Sequence, residues 1–409
     1  MPEIILLLGV AILTGYVAGE MCEKINLPKV VGWILGGVAL GASGFGLFEL
    51  ELLDLLNPIS FIVLALIGFD IGGELSYGML RRLGKSIATI AVFEALGAFV
   101  MVTTAVTLVT KELWMGLIFG GLSVATAPAA TVEVLREYHS SGPLTSTTFA
   151  IVGVDDALAI IMYAFGAGLA KMLFIGKAIS LLGIVEGPLI EIFGALLLGG
   201  VIGVVFAYTT RFTHTPRELL LLSFGTILAL AGIARFLRFS YILASMALGI
   251  MAVNLPFSNK RCFDVVNEAK PPLFVLFFVF VGARLQVGLL TKIGAIGVLY
   301  ILFRTLGKGA GSWTGARISG NLGFLDAKAR ATIEKYFWLC LFSQAGVAIG
   351  LALEAMHTFA EYGAAGREFG AMVITIITGT ALIFELIGPP SVRLAIFKAG
   401  EVRRSETAK

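Results

Sequence analysis

The sequence predicts an all-α polytopic membrane protein of about thirteen transmembrane helices, and three observations carry that reading. The chain is 58% hydrophobic and only 14% charged, where a soluble domain carries roughly a quarter charged residues, and its mean hydropathy is +0.95. The apolar residues fall in blocks of about 20, the length that crosses about 30 Å of hydrocarbon. Fifty glycines among 409 residues suit a bundle in lipid, because small residues let transmembrane helices approach closely.

In chain order the blocks place helices near 3–20, 28–43, 58–73, 86–110, 114–134, 146–172, 187–209, 218–237, 240–256, 272–286, 290–316, 331–355 and 367–396. Charged or Gly/Pro punctuation separates them, and only Arg235 and Arg238 divide the eighth from the ninth. The start, Met-Pro-Glu followed by an apolar run, lacks the basic opening and small-residue cleavage site of a secretory signal. The first block is therefore expected to be retained. Residues 1–398 read as one membrane domain and 399–409 as a short polar tail. An odd number of spans puts the termini on opposite sides. With the N-terminus outside, most Lys and Arg, including Arg403 and Arg404, fall in inner loops and the tail, while the 44–57 loop holds Glu49, Glu51 and Asp54 without a base. Basic residues favour the cytoplasm, so the expectation is a multi-pass cell-membrane protein with its C-terminus inside.

Several function classes drop out. The net charge of +3 is spread along the loops, which gives no electrostatic case for nucleic acid. Cys22, Cys262 and Cys340 are isolated, so neither a disulfide framework nor a zinc site is expected, and no cofactor is implied.

Charges inside a bilayer cost about 2.5–3.5 kcal/mol each at mid-depth on insertion scales, so the few sites that carry them are informative. Asp155 and Asp156 lie near the centre of the sixth block. Neighbours on a helix point about 100° apart; one carboxylate can contact another helix while the other faces a water-filled cavity. Such a pair suits the exchange of a proton for a metal cation. Lys308 lies near the middle of the eleventh block, where a lone lysine must lose its proton or find a carboxylate. An Asp155–Lys308 pair would satisfy both. Arg304 stands one turn earlier on the same face, either in an ion pair that braces the fold or as part of the transport site; Asp70 and Glu74 at the end of the third block are its candidate partners or simply interface residues.

Two blocks are interrupted. In the fifth, Pro128 removes a backbone donor, and Thr126 and Thr131 flank it with hydroxyls that can satisfy freed backbone groups or bind an ion. In the twelfth, Ser343 and Gln344 stand beside Gly346. Interruptions in matching positions of two halves point to a transporter's site near the midplane. The offset of seven blocks suggests two inverted repeats, joined by the seventh helix.

Four segments give the chain a family likeness: Asn-Leu-Pro-Lys-Val-Val-Gly-Trp-Ile-Leu-Gly-Gly from Asn26, Ala-Thr-Ala-Pro-Ala-Ala-Thr from Ala125, Val-Asp-Asp-Ala from Val154, and Gly-Lys-Gly-Ala-Gly from Gly307. In order and spacing the chain resembles the cation/proton antiporter superfamily, especially the bacterial sodium/proton antiporter and Kef-related branch. The resemblance implies a homodimer with a moving six-helix core (near 86–172 and 290–396) and a dimerisation scaffold (near 3–73 and 187–286). It implies that Asp156 carries cation and proton in turn, that Asp155 pairs with Lys308, and that two discontinuous helices cross, their unwound parts matching the Thr126 and Ser343–Gly346 regions. An Asp-Asp pair goes in the family with electrogenic exchange. Two departures stand out: Ala127 where relatives can carry a polar residue, and the Phe342–Gly346 stretch in place of the branch's Pro-Arg-Gly-Glu. The expected activity is Na⁺ (or Li⁺) antiport against H⁺, with K⁺/H⁺ exchange as the alternative. A cation channel and an intramembrane aspartyl protease are remote; the latter needs Asp on two helices in a Gly-x-Gly-Asp pattern that this chain lacks.

Overall fold

The structure, a computed structural model, describes residues 4–25, 27–175, 181–285 and 287–402. Asn26, Arg403 and Arg404 lie outside the described residues. Among the described residues seventeen α-helices follow one another: α1 (Ile4–Lys24), α2 (Lys29–Leu40), α3 (Leu50–Leu55), α4 (Asn57–Glu74), α5 (Tyr77–Thr110), α6 (Leu113–Ser123), α7 (Pro128–Glu137), α8 (Pro143–Ile175), α9 (Leu181–Thr210), α10 (Pro216–Phe236), α11 (Tyr241–Asn254), α12 (Arg261–Ala269), α13 (Pro271–Arg284), α14 (Val287–Asn321), α15 (Ala327–Tyr336), α16 (Gly346–Ala360) and α17 (Gly363–Ala399). A 3₁₀ turn, Phe337–Leu341, continues α15.

Among the described residues seven helices are long and apolar enough to cross a bilayer, or nine if each of two bent pairs is one span. Length and composition thus stop short of thirteen, for local reasons. Helices α2, α6 and α11 have only 12, 11 and 14 residues, under the about 17 a span needs. Helix α14 is long enough, but Arg304 and Lys308 stand in its interior. The amphipathic α12, bent 54° from α13, and the short α3 were not marked by the apolar blocks.

Boundaries follow local chemistry. Gly84, at φ 62°, breaks α5 so that its membrane-length part is Gly84–Thr110. Thr215 caps α10 by accepting the Glu218 N–H at 3.2 Å, with Pro216 at the first position where its missing donor is harmless. The division between the eighth and ninth blocks is a turn at Arg238, in left-handed backbone at φ 58°.

The packing that matters most for the site is α5 against α14. A Cβ on Gly307 would lie 2.5 Å from Gly97 O and 2.8 Å from Ala98 Cα, and one on Gly311 would lie 2.6 Å from Glu94 Cα. The two backbones therefore touch, and Glu94 is brought level with Lys308. Gly311→Val is expected to destabilise at the upper end of the about 1–3 kcal/mol that overpacking costs, because the obstruction is backbone and cannot rotate away. A melting curve in detergent that matches wild type would contradict this packing.

Candidate functional site

Two helices break at the centre of the bundle, and the breaks meet. Helix α6 stops at Ser123 and α7 starts at Pro128; the 3₁₀ turn stops at Leu341 and α16 starts at Gly346. Pro128 occupies the first helical position, where its lack of an N–H leaves nothing unsatisfied, so it starts the second half of the span. Ala127 N donates to Ser343 O at 2.9 Å, and Thr131 Oγ1 donates to Cys340 O at 3.4 Å.

Unwinding a helix strands carbonyls that must find donors when no water is near. Arg304 supplies three of them: Nε to Ser123 O at 3.1 Å, Nη2 to Ala125 O at 2.8 Å and Nη1 to Phe342 O at 3.1 Å. Gln344 Nε2 donates to Leu122 O at 2.9 Å and is itself held by the Tyr300 hydroxyl. Both breaks thus present the negative, carbonyl end of a half-helix to one guanidinium. This corrects the expectation for Arg304. Its partners are backbone carbonyls on both interrupted helices, and Asp70 is taken instead by Lys270 at the bend between α12 and α13. Glu74 makes no ion pair with Arg304; it ends α4 within electrostatic range of Asp156. Arg304 also lies over the Phe384 ring, 4.4 Å from its centroid.

One turn along α14, Lys308 Nζ contacts Asp155 Oδ2 at 2.8 Å, Glu94 Oε2 at 2.9 Å and Thr126 Oγ1 at 2.7 Å. Three acceptors match the three donors of an ammonium. Glu94 was missed in the sequence. The signal was a single acid inside the otherwise apolar part of α5, Ala-Val-Phe-Glu-Ala-Leu-Gly, and the rule applied to Lys308 would have found it.

Asp156 differs from its neighbour. Asp155 is fully buried and engaged by Lys308, whereas Asp156 keeps 6% exposure. Among the described residues no donor reaches Asp156, and its Oδ1 is buried without a partner, as is Ser343 Oγ. The wider site buries four carboxyls, Glu94, Asp155, Asp156 and Glu385, against two cations, Lys308 and Arg304. Ionised together, they leave an excess of negative charge in low dielectric, which is sustained only if protons or metal cations offset it. The excess of buried carboxyls is the charge balance that a proton or a small cation would complete.

Sodium/hydrogen exchanger, transmembrane, is the family whose pattern matches residues 8–398. The chain belongs to the sodium/hydrogen exchanger family. It is therefore a transporter and not an enzyme. The exchanger is 27% identical over 332 residues to the high-affinity Na⁺/H⁺ antiporter NhaS3 of Synechocystis sp., covering 70% of this chain and 69% of that one. It is 25% identical over 279 residues to the ammonium/H⁺ antiporter subunit AmhT of Alkalihalophilus pseudofirmus, covering 66% and 68%. Its fold matches the sodium proton antiporter MjNhaP1 of Methanocaldococcus jannaschii with a TM-score of 0.77 at 18% identity, over 97% of this exchanger and 98% of that chain.

In this exchanger, Lys308→Ala would leave Glu94 and Asp155 facing each other without a cation. Removing one partner of a buried pair costs about 3–5 kcal/mol. The expected outcome is a lower melting temperature together with an altered pH dependence or charge movement of exchange, measured by reconstitution under a voltage clamp. Unchanged pH dependence and charge movement would remove Lys308 from the transport site.

Proposed function

We propose that the chain is a secondary active antiporter that exchanges Na⁺ (or Li⁺) for H⁺ at one alternating-access site. The observation that carries the reading is Asp156, a buried carboxyl with no protein donor set beside a carboxylate already engaged by Lys308. A group in that position takes a proton or a metal cation and cannot hold both. Thr126, Ser343 and the free carbonyl lone pairs at the two breaks supply the further oxygens that a monovalent cation takes. Asp155 and Lys308 form a charge pair that breaks and reforms as the site changes sides. The Asp-Asp pair supports electrogenic exchange, with more than one proton per sodium ion.

Access alternates by movement of α5–α8 with α14–α17 against the remaining helices, in a homodimer whose N-terminus is outside and C-terminus cytoplasmic. The second reading is a carrier for a larger monovalent cation such as K⁺, favoured by the likeness to an ammonium/H⁺ antiporter subunit. Salts of Na⁺, Li⁺, K⁺ and NH₄⁺ added in turn to proteoliposomes loaded with a pH-sensitive dye separate the two. Sodium and lithium are expected to dissipate an imposed pH gradient. A response to potassium or ammonium alone would replace the sodium reading by the second.

A further inference from the structure

Helix α4 spans 18 residues, about 27 Å at 1.5 Å per residue, so its Asn57 end is far from Glu74. At the Asn57 end the bundle opens into a cleft of about 760 Å³, a size typical of small-molecule sites. Three guanidiniums line it, from Arg235 at the end of α10, Arg284 at the end of α13 and Arg367 near the start of α17.

Their environments differ. Arg284 is committed, donating to Asp54 Oδ1 at 3.0 Å and to Asn57 Oδ1 at 2.7 Å. Arg235 lies over the Phe61 ring, its guanidinium carbon 3.5 Å from the centroid, and the same ring meets His357 at 4.8 Å. Neither Arg235 nor Arg367 has a carboxylate partner among the described residues. Even with Asp54 and Glu361 counted, the lining holds more base than acid. A guanidinium stacked on an aromatic ring keeps its in-plane donors free and loses little freedom on binding an oxyanion. At the rim, Leu50 and Leu55 are 41% and 69% exposed.

We propose that this cleft seats the phosphate headgroup of an anionic phospholipid, held by Arg235 and Arg367 with its acyl chains along the Leu50–Leu55 rim. A free phosphate would match the guanidiniums but not the apolar rim. Arg235 stands on α10 and Arg367 on α17, so one bound headgroup ties two parts of the bundle together. On the moving-core reading given above, and only on that reading, such a tie slows exchange.

The test uses the full chain in detergent, with lipid retention read by native mass spectrometry and exchange read in vesicles. Wild type is expected to retain phosphatidylglycerol over phosphatidylcholine by about tenfold, the equivalent of a little over 1 kcal/mol. The Arg235→Gln/Arg367→Gln pair is expected to lose that preference while melting like wild type. Both side chains are exposed and neither makes an ion pair among the described residues, so the fold rests little on them. Exchange by wild type is expected to be slower in vesicles containing phosphatidylglycerol than in phosphatidylcholine alone, and exchange by the double variant to be equal in both. An absent preference, or one that survives in the double variant, overturns the site. Displacement of the lipid by inorganic phosphate at equal concentration overturns the lipid assignment. Retention with exchange unaffected overturns the tie. Loss of exchange in every lipid would count against the antiport reading and leave the cleft untouched.

Discussion

Asp156→Asn is expected to abolish sodium-driven proton movement in proteoliposomes while the protein still folds. The substitution keeps the shape of the side chain and removes its charge, so on the proposed mechanism a cation loses this carboxylate and a proton its acceptor. No structural contact is lost, because no protein donor reaches Asp156 among the described residues. The melting temperature should therefore stay within a few degrees of wild type or rise, since a buried charge is gone. Wild-type exchange by Asp156→Asn would refute the site. The contrast with Asp155→Asn is instructive: that change weakens a contact to Lys308 at 2.8 Å and should lower stability as well as alter exchange.

The second large effect belongs to Arg304. Its truncation to Leu strands the carbonyls of Ser123, Ala125 and Phe342, each unsatisfied group costing about 1–3 kcal/mol. It also removes the positive charge set against two half-helix ends. The expected outcome is severe: little folded protein after extraction, and no exchange from what remains. Arg304→Lys keeps the charge but cannot direct planar donors to three separate oxygens, so folding should be partly rescued and exchange should remain far below wild type. Yield by gel filtration and exchange in vesicles measure the two effects. Normal folding and transport by Arg304→Leu would show that the breaks are held by something other than this guanidinium.

These two residues also mark what could be seen in advance. Asp155, Asp156 and Lys308 are legible because charge in an apolar block is rare whatever the neighbours, and Pro128 because a proline removes a donor in any context. The structure puts Lys308 Nζ beside Asp155 Oδ2 and starts α7 at Pro128. The partners of Arg304 were hidden for a physical reason. They are main-chain carbonyls, present at every residue, and become acceptors only where a helix unwinds. Glu94 was overlooked because a single acid can face lipid, headgroups or core depending on helix rotation. That rotation is set by the contact of Gly97 with Gly307 and of Gly311 with Phe93 and Glu94, a relation between two distant segments. The number of spans was obscured by the same breaks, since short helices such as α6 cross only in company with their other half.

In the proposed mechanism one carboxyl, Asp156, holds a proton and a metal ion in turn. Linkage then fixes the sign of the pH dependence: where one proton must leave for one cation to bind, apparent sodium affinity tightens by about tenfold per pH unit as pH rises, and levels off once the site is deprotonated. The most direct measurement adds sodium chloride to the purified protein in weakly buffered detergent solution and follows the free proton concentration. Wild type is expected to release protons in proportion to the sodium bound, and Asp156→Asn to release none. Sodium binding detected as heat with no proton release from wild type, or equal release from Asp156→Asn, would contradict competition at Asp156.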